Sequence, residues 1–419
     1  MKRFVKALLR KKRPKESWFK YIMSVLHLWL GLLSSVVVFI VCLSGSIYTF
    51  KDKIIDAWNY DKVYVSAGNT PAFPIDTIQN RLKDEGKLIT AISIPSSPGK
   101  SLTISYKSVD GTQIGSFYMN PYTGENLGSG DYSLKEFFSL ILSIHRSLLI
   151  SGIGRDIVAA SILLFVILLI SGFVLWLPKK WKQLKGGLVI RWKAKFARIN
   201  YDLHNVLGFY SLLLLLFIAV TGLYVSYGWV KSGIIVALGG EPVLTANSKA
   251  PVNDALSDSF KDLLKDMIAT ENDKENLDLE KTISLDEIIK LSNKHLSYRA
   301  ITTISLPNEE SPHITVKKIN TENMLGAIVP DIVTFNNQGE FRTLERFADK
   351  KLHEQFVEIS LPLHTGEILG WPSLVFYFIA SLIGCSLPVT GFIIWWKKIP
   401  SGNKPGVVRK KKKTTQVIV

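Results

Sequence analysis

Four histidines carry the spacing that could do chemistry. His27 is followed by Gly31 and the pair Ser44-Gly45, and His204 by Gly208 and Thr221-Gly222, with the same offset of 177 residues at every position. His145 leads to Ser171-Gly172-Phe173 and Trp176, and His364 to Thr390-Gly391-Phe392 and Trp395, again with one offset, 219. Similarity at a fixed period marks an internal repeat, so the chain reads as two copies of one unit. Ionisable side chains at membrane depth are costly and are usually kept for function. Imidazole is a common axial ligand of haem iron, and a six-coordinate haem needs two imidazoles on helices that face each other.

The elements that must position them follow from the composition. The 419 residues are 47% hydrophobic, yet the chain carries a net charge of +16. A span needs ~20 apolar residues, and four runs qualify, about Ile22–Phe50, Ile157–Leu177, Val206–Tyr227 and Pro372–Trp396. The expected organisation is a basic N-terminus (1–20), a first span (21–50), a polar block (51–140) and a second span with its interfacial approach (141–178). A basic loop (179–203), a third span (204–228), a second polar block (229–362), a fourth span (363–396) and a basic tail (397–419) complete it. The three basic segments hold 25 of the 51 Lys and Arg but only two of the 35 acidic residues. Basic flanks stay in the cytoplasm, which puts both termini and the middle loop inside and both polar blocks outside. Their charge is accounted for by topology and by anionic lipid headgroups of the bilayer, so no nucleic-acid partner is expected. The first apolar run is too long for a cleaved signal peptide.

Topology then pairs the histidines. Odd spans enter from the cytoplasm with His27 and His204 at their mouths, and even spans enter from outside with His145 and His364 at theirs. The fold class expected is an internally duplicated, all-α membrane four-helix bundle with two extracytoplasmic α+β domains. It would hold two haem b, one on His27 and His204 and one on His145 and His364. Neither couple has carboxylate or thiolate neighbours in sequence, which argues against zinc or copper. The two cysteines, Cys42 and Cys385, lie inside apolar runs and read as buried thiols. Gly31, Gly208, Gly152 and Gly154 would let a flat macrocycle approach a helix. Trp29, Phe209, Trp371 and Tyr377 would pack on its faces. Arg146 and Arg155 outside, and Arg198 and Arg191 inside, are the candidates for its propionates. The Ser/Thr-Gly pairs read as helix-packing points, and Trp176, Trp395 and Trp396 as interfacial anchors.

In the outer blocks, Asp76–Glu85 and Ser284–His295 read as helices, and Asp254–Glu287 as an acidic, helix-prone stretch. Strands are expected at Leu102–Tyr106, Gln113–Met119, Ile301–Leu306, Ile314–Ile319 and Ile332–Phe335, with turns at Asn120-Pro-Tyr-Thr-Gly and Asn336-Asn-Gln-Gly.

The His-x-x-x-Gly opening of the odd spans, the small-Gly-Phe-x-x-Trp closing of the even spans and the two outer blocks resemble the PepSY-associated transmembrane proteins over about residues 15–400. The resemblance implies PepSY-like domains near 61–130 and 280–346, a bacterial inner membrane, and ferric-siderophore reduction through two b haems. Electrons would run from the cytoplasmic haem to the outer one and on to a ferric siderophore in the periplasm. Ser151-Gly-Ile-Gly-Arg lacks the third glycine of a dinucleotide fingerprint and opens no βαβ unit. The electron donor is therefore expected to be separate, a cytoplasmic reductase or a quinol. Two other readings compete. One is a siderophore transporter or transport accessory, which would need broken helices and midplane polar residues. The other is a haem-free PepSY binding protein that restrains a protease.

Overall fold

A computed structural model describes residues 12–397 except 15, 67–72, 112, 179, 243–282, 309–310 and 321–328. Most of the acidic stretch Asp254–Glu287, the extreme N-terminus and nearly all of the basic tail therefore lie outside the described residues.

Four helices are long and apolar enough to cross a membrane: α1 (Trp18–Thr49), α6 (Gly154–Trp176), α7 (Phe196–Ser226) and α11 (Trp371–Trp396). Ser17 caps α1 by accepting from the Lys20 amide, and a proline at the start of α11 suits a helix N-terminus, where its missing N–H is not needed. Helix α11 runs unbroken through Pro388. Each helix packs on two others: α1 and α7 both touch α6 and α11, so α1 and α7 face each other diagonally.

Two shorter helices deliver the remaining histidines. Helix α5 (Tyr132–Ser147) is capped by Asp131, whose carboxylate accepts from the Ser133 and Leu134 amides. It packs on α1 and α6. Helix α10 (Leu352–Thr365) packs on α7 and ends at Gly366, whose φ of +84° favours glycine. Smaller helices are α2 (Lys51–Trp58), α3 (Tyr60–Val63), α4 (Ile75–Asp84), α8 (Gly228–Ala237) and α9 (Leu285–His295).

The two polar blocks build one sheet. Strands β1 (Lys87–Ile94), β2 (Leu102–Ser108), β3 (Ile114–Met119) and β4 (Asn126–Gly128) come from the first. Strands β5 (Ala300–Ser305), β6 (Ile314–Asn320), β7 (Pro330–Phe335) and β8 (Phe341–Glu345) come from the second. The order is β4-β3-β2-β1-β5-β6-β7-β8. The halves join through antiparallel β1 and β5, where Ser93 faces Thr303 and the Thr303 hydroxyl bonds the Ser93 hydroxyl at 3.3 Å. Helices α4 and α9 cap each other. Asp286 accepts from the Ile75 and Asp76 amides at 3.2 and 3.3 Å, and Asp76 accepts from the Leu285 amide at 2.7 Å and from the Ser284 hydroxyl. One apolar core draws on both halves, including Ile78, Ile92, Ile104, Leu285, Ile288, Ile304 and Val316.

Candidate functional site: two imidazole couples

His27 projects from the early turns of α1 and meets the end of α6. Its Nδ1 lies 3.0 Å from the Ser171 hydroxyl, and an added Cβ on Gly172 would come within 3.1 Å of its Cε1. His204 does the same from α7 against α11, with Nδ1 2.9 Å from the Thr390 hydroxyl and Gly391 beneath Cε1 at 3.2 Å. Because α1 and α7 are diagonal, the two rings meet across the interior, with centroids 6.3 Å apart.

The other couple is built from α5 and α10. His145 Nδ1 lies 3.2 Å from the Ser44 hydroxyl and 3.0 Å from the Val41 carbonyl, and an added Cβ on Gly45 would come within 3.0 Å of its Cε1. His364 Nδ1 lies 3.1 Å from both the Thr221 hydroxyl and the Ile218 carbonyl, and an added Cβ on Gly222 would come within 3.0 Å of its Cε1. These two rings have centroids 6.1 Å apart. A carbonyl can only accept, so Nδ1 of His145 and His364 carries the proton. The hydrogen bonds of all four rings run through Nδ1, which leaves Nε2 with its lone pair.

These distances test whether a haem fits. Each couple offers two imidazole nitrogens from helices of different halves, with ring centroids 6.3 and 6.1 Å apart, and a two-imidazole donor set suits haem iron. Among the described residues no three His, Cys, Asp or Glu side chains gather as metal ligands. A four-ligand zinc site is thus not formed there.

Seventeen residues separate His27 from Ser44 on α1, and His204 from Thr221 on α7, which is ~26 Å at 1.5 Å per residue. An apolar layer of Val38, Phe165, Leu169, Leu215, Ala219 and Ala380 fills the interior between the couples.

The other candidate residues make contacts of their own. Arg198 is ion-paired to the buried Asp202 at 2.9 Å, one turn along its own helix. Asp202 also accepts from the Arg191 amide. Arg146, next to His145, is half-buried and close enough to Arg155 to be repelled by it. Gly31 and Gly208 abut Leu168 and Leu387 rather than an imidazole. Gly152 takes φ +76°, and Gly154 sits where a Cβ would collide with the Ser147 carbonyl, so both serve the tight link from α5 to α6. Phe209 stacks on Trp176 at 3.7 Å, Trp371 lies against Phe50, and the Tyr377 hydroxyl donates to the Leu363 carbonyl. Trp29 is exposed on α1, and Trp395 is buried rather than held at an interface. The residues sequence reasoning undervalued are the Ser/Thr-Gly pairs, which are where the imidazoles seat. Their constant offset from the histidines was the available signal.

No curated protein matches the chain. The family described as PepSY-associated TM region matches residues 24–398, nearly the whole chain, with all four histidines inside the match. The chain belongs to the family of the PepSY-associated TM region.

Proposed function

We propose that the protein is an internally duplicated four-helix membrane bundle that binds two haem b and reduces ferric siderophore. In this reading His27 and His204 hold the cytoplasmic-side haem, and His145 and His364 the periplasmic-side haem. The observation that carries it is the meeting of two imidazoles at both ends of one bundle, with centroids 6.3 and 6.1 Å apart and every ring hydrogen-bonded through Nδ1. In this reading the charge bias of the basic segments favours cytoplasmic termini, the membrane is a bacterial inner membrane, and the eight-stranded sheet faces the periplasm as a pair of PepSY-like halves.

A bound haem supplies a reversible one-electron iron couple. The residues of this chain do the rest. The Ser and Thr hydroxyls keep the imidazole proton on Nδ1. The glycines let the rings seat against the helices, and the apolar layer keeps water from the interior between the couples. One electron enters from a separate cytoplasmic reductase or membrane quinol and one ferric chelate becomes ferrous, so a two-electron donor serves two chelates. Hard oxygen donors hold ferric iron better than ferrous, so reduction loosens the iron. The transporter reading wants broken spans, whereas α1, α6, α7 and α11 are each continuous.

The test is reduced-minus-oxidised spectroscopy with haem counting on detergent-purified full chain. Two low-spin b haems per chain, reoxidised by a ferric siderophore, are expected. A preparation made with ample haem and lacking a Soret band would refute the reading and leave the haem-free binding role.

A further inference from the structure

We propose that the four hydroxyl–glycine pairs, Ser44-Gly45, Ser171-Gly172, Thr221-Gly222 and Thr390-Gly391, are positioning residues. Together with the backbone carbonyls that share the bond, they hold each ligand imidazole in its Nδ1–H form and so tune the reduction potential of the iron it would hold. This rests on the haem reading above. A hydroxyl has one proton and two lone pairs. In all four cases a helix carbonyl three or four residues back takes that proton: Ile40 for Ser44 at 2.7 Å, Leu168 for Ser171 at 3.1 Å, Phe217 for Thr221 at 2.9 Å and Ser386 for Thr390 at 2.9 Å. With its proton committed, the hydroxyl can only accept from the ring, so Nδ1–H donates to it.

The glycine makes this bond possible. A Cβ at that position would stand 3.0–3.2 Å from Cε1 in every pair, inside ordinary contact. The arrangement crosses between helices: α1 carries His27 and also the seat for His145, while α6 carries the seat for His27. Helices α7 and α11 repeat this with His204, His364, Thr221 and Thr390. Four small residues that merely let helices approach would not all place an accepting oxygen on Nδ1. An acceptor on the far nitrogen fixes the tautomer and raises the basicity of the ligating one. A neutral hydroxyl does so without pulling the proton away, as a carboxylate would. The more basic ligand favours ferric iron and lowers the potential.

The test pairs Thr390→Val, which keeps the shape and removes the accepting oxygen, with Thr390→Ser, which restores it. Potentiometric titration of the purified full chain is expected to show one of the two haems shifted upward in Thr390→Val and returned in Thr390→Ser. A tenfold preferential loss of the ferric form corresponds to 59 mV. A second readout needs no haem. In the haem-free protein labelled with 15N-histidine, the His204 Nδ1–H resonance should move away from its wild-type shift and exchange faster in Thr390→Val, with the Leu387 carbonyl left as its remaining acceptor. Ser171→Ala tests the same couple should Thr390→Val not fold. Unchanged potentials and an unchanged Nδ1–H resonance in a two-haem protein would overturn the clamp while leaving the haem reading intact. Absence of haem from the wild type would sink that reading, and the resonance measurement would still decide whether the clamp exists.

Discussion

Replacing Gly222 by Ala puts a methyl group 3.0 Å from His364 Cε1, where carbon–carbon contact is optimal at about 3.5–4.0 Å. The ring must retreat by about 0.5 Å to recover that contact. Retreat is opposed, because Nδ1 is tied to the same helix by the Thr221 hydroxyl and the Ile218 carbonyl, both at 3.1 Å. Stretching these bonds forfeits about 1 kcal/mol each, in line with the ~1–3 kcal/mol that overpacking usually costs. Alanine gains about 0.8–1.0 kcal/mol over glycine inside a helix, so the two effects largely offset each other in the fold. Melting temperature is therefore a poor gauge, and ligand placement is the sensitive one. Disturbing a ligand's support weakens a metal site by about 10–100-fold, and the other couple, ~26 Å away along the helix, should not respond. The assay is haem per chain and titration of haem into haem-free protein, with Gly222→Val as the larger dose. The expected result is one tight and one weakened haem, more weakened in Gly222→Val. Two haems bound with wild-type affinity in both variants would refute the reasoning.

Three further outcomes are expected. His204→Ala should remove the haem shared with His27 and spare the other, halving haem content; retention of both would show that these two imidazoles do not share an iron. Burial raises the Asp76 carboxyl, but its bonds from Ser284 and Leu285 outweigh this and hold it below its ordinary 3.8. A depressed carboxyl stabilises fully at neutral pH and loses that contribution as pH falls through its folded-state value. Asp76→Asn keeps an accepting oxygen but removes the titration, so it should flatten the acid end of the unfolding profile followed by circular dichroism; an unaltered acid limb would count against the clasp. Ile304 is fully buried opposite Ile92, so Ile304→Ala should cost about 2–5 kcal/mol. It should lower hydrogen-exchange protection in β1–β4 as well as β5–β8, and loss confined to β5–β8 would mean the halves fold separately.

The spans, their order and the four histidines were legible because length, hydropathy and a fixed offset are local properties. The helices at Ile75–Asp84 and Leu285–His295 were legible for the same reason, as were strands β2, β3, β5, β6 and β7. Strand β1 was not. A bulge between Ile89 and Ala91 shifts its register and breaks the alternation that marks a strand. Strand β8 is a mostly exposed edge with little apolar signal, and β4 has only three residues. The joining of the polar blocks into one sheet depends on β1 meeting β5, a pairing between residues about two hundred positions apart that no local pattern encodes. Nearness in sequence marks the arginine candidates but does not encode their partners: Arg198 pairs with Asp202 on the next turn of its own helix, as i,i+4 geometry favours. The seating of each imidazole on a Ser/Thr-Gly pair of a different helix is likewise invisible to spacing along the chain, although the pairs themselves stood out.

Each half of the chain seats its own two imidazoles: His27 and His145 rest on Ser171 and Ser44 before residue 177, and His204 and His364 rest on Thr390 and Thr221 after it. Neither half brings two rings face to face. Both couples exist only along the seam between halves, the seam that Ser93 and Thr303 continue into the sheet. A fragment ending after α6 would thus be complete in its supports yet lack every opposing ligand, and its bare β1 edge would be self-complementary, with Ser93 free to meet a second Ser93. On the proposed haem reading, haem binding by such a protein would report mating of the halves, so a twofold homodimer of half-length chains is the simplest assembly able to reproduce both imidazole couples.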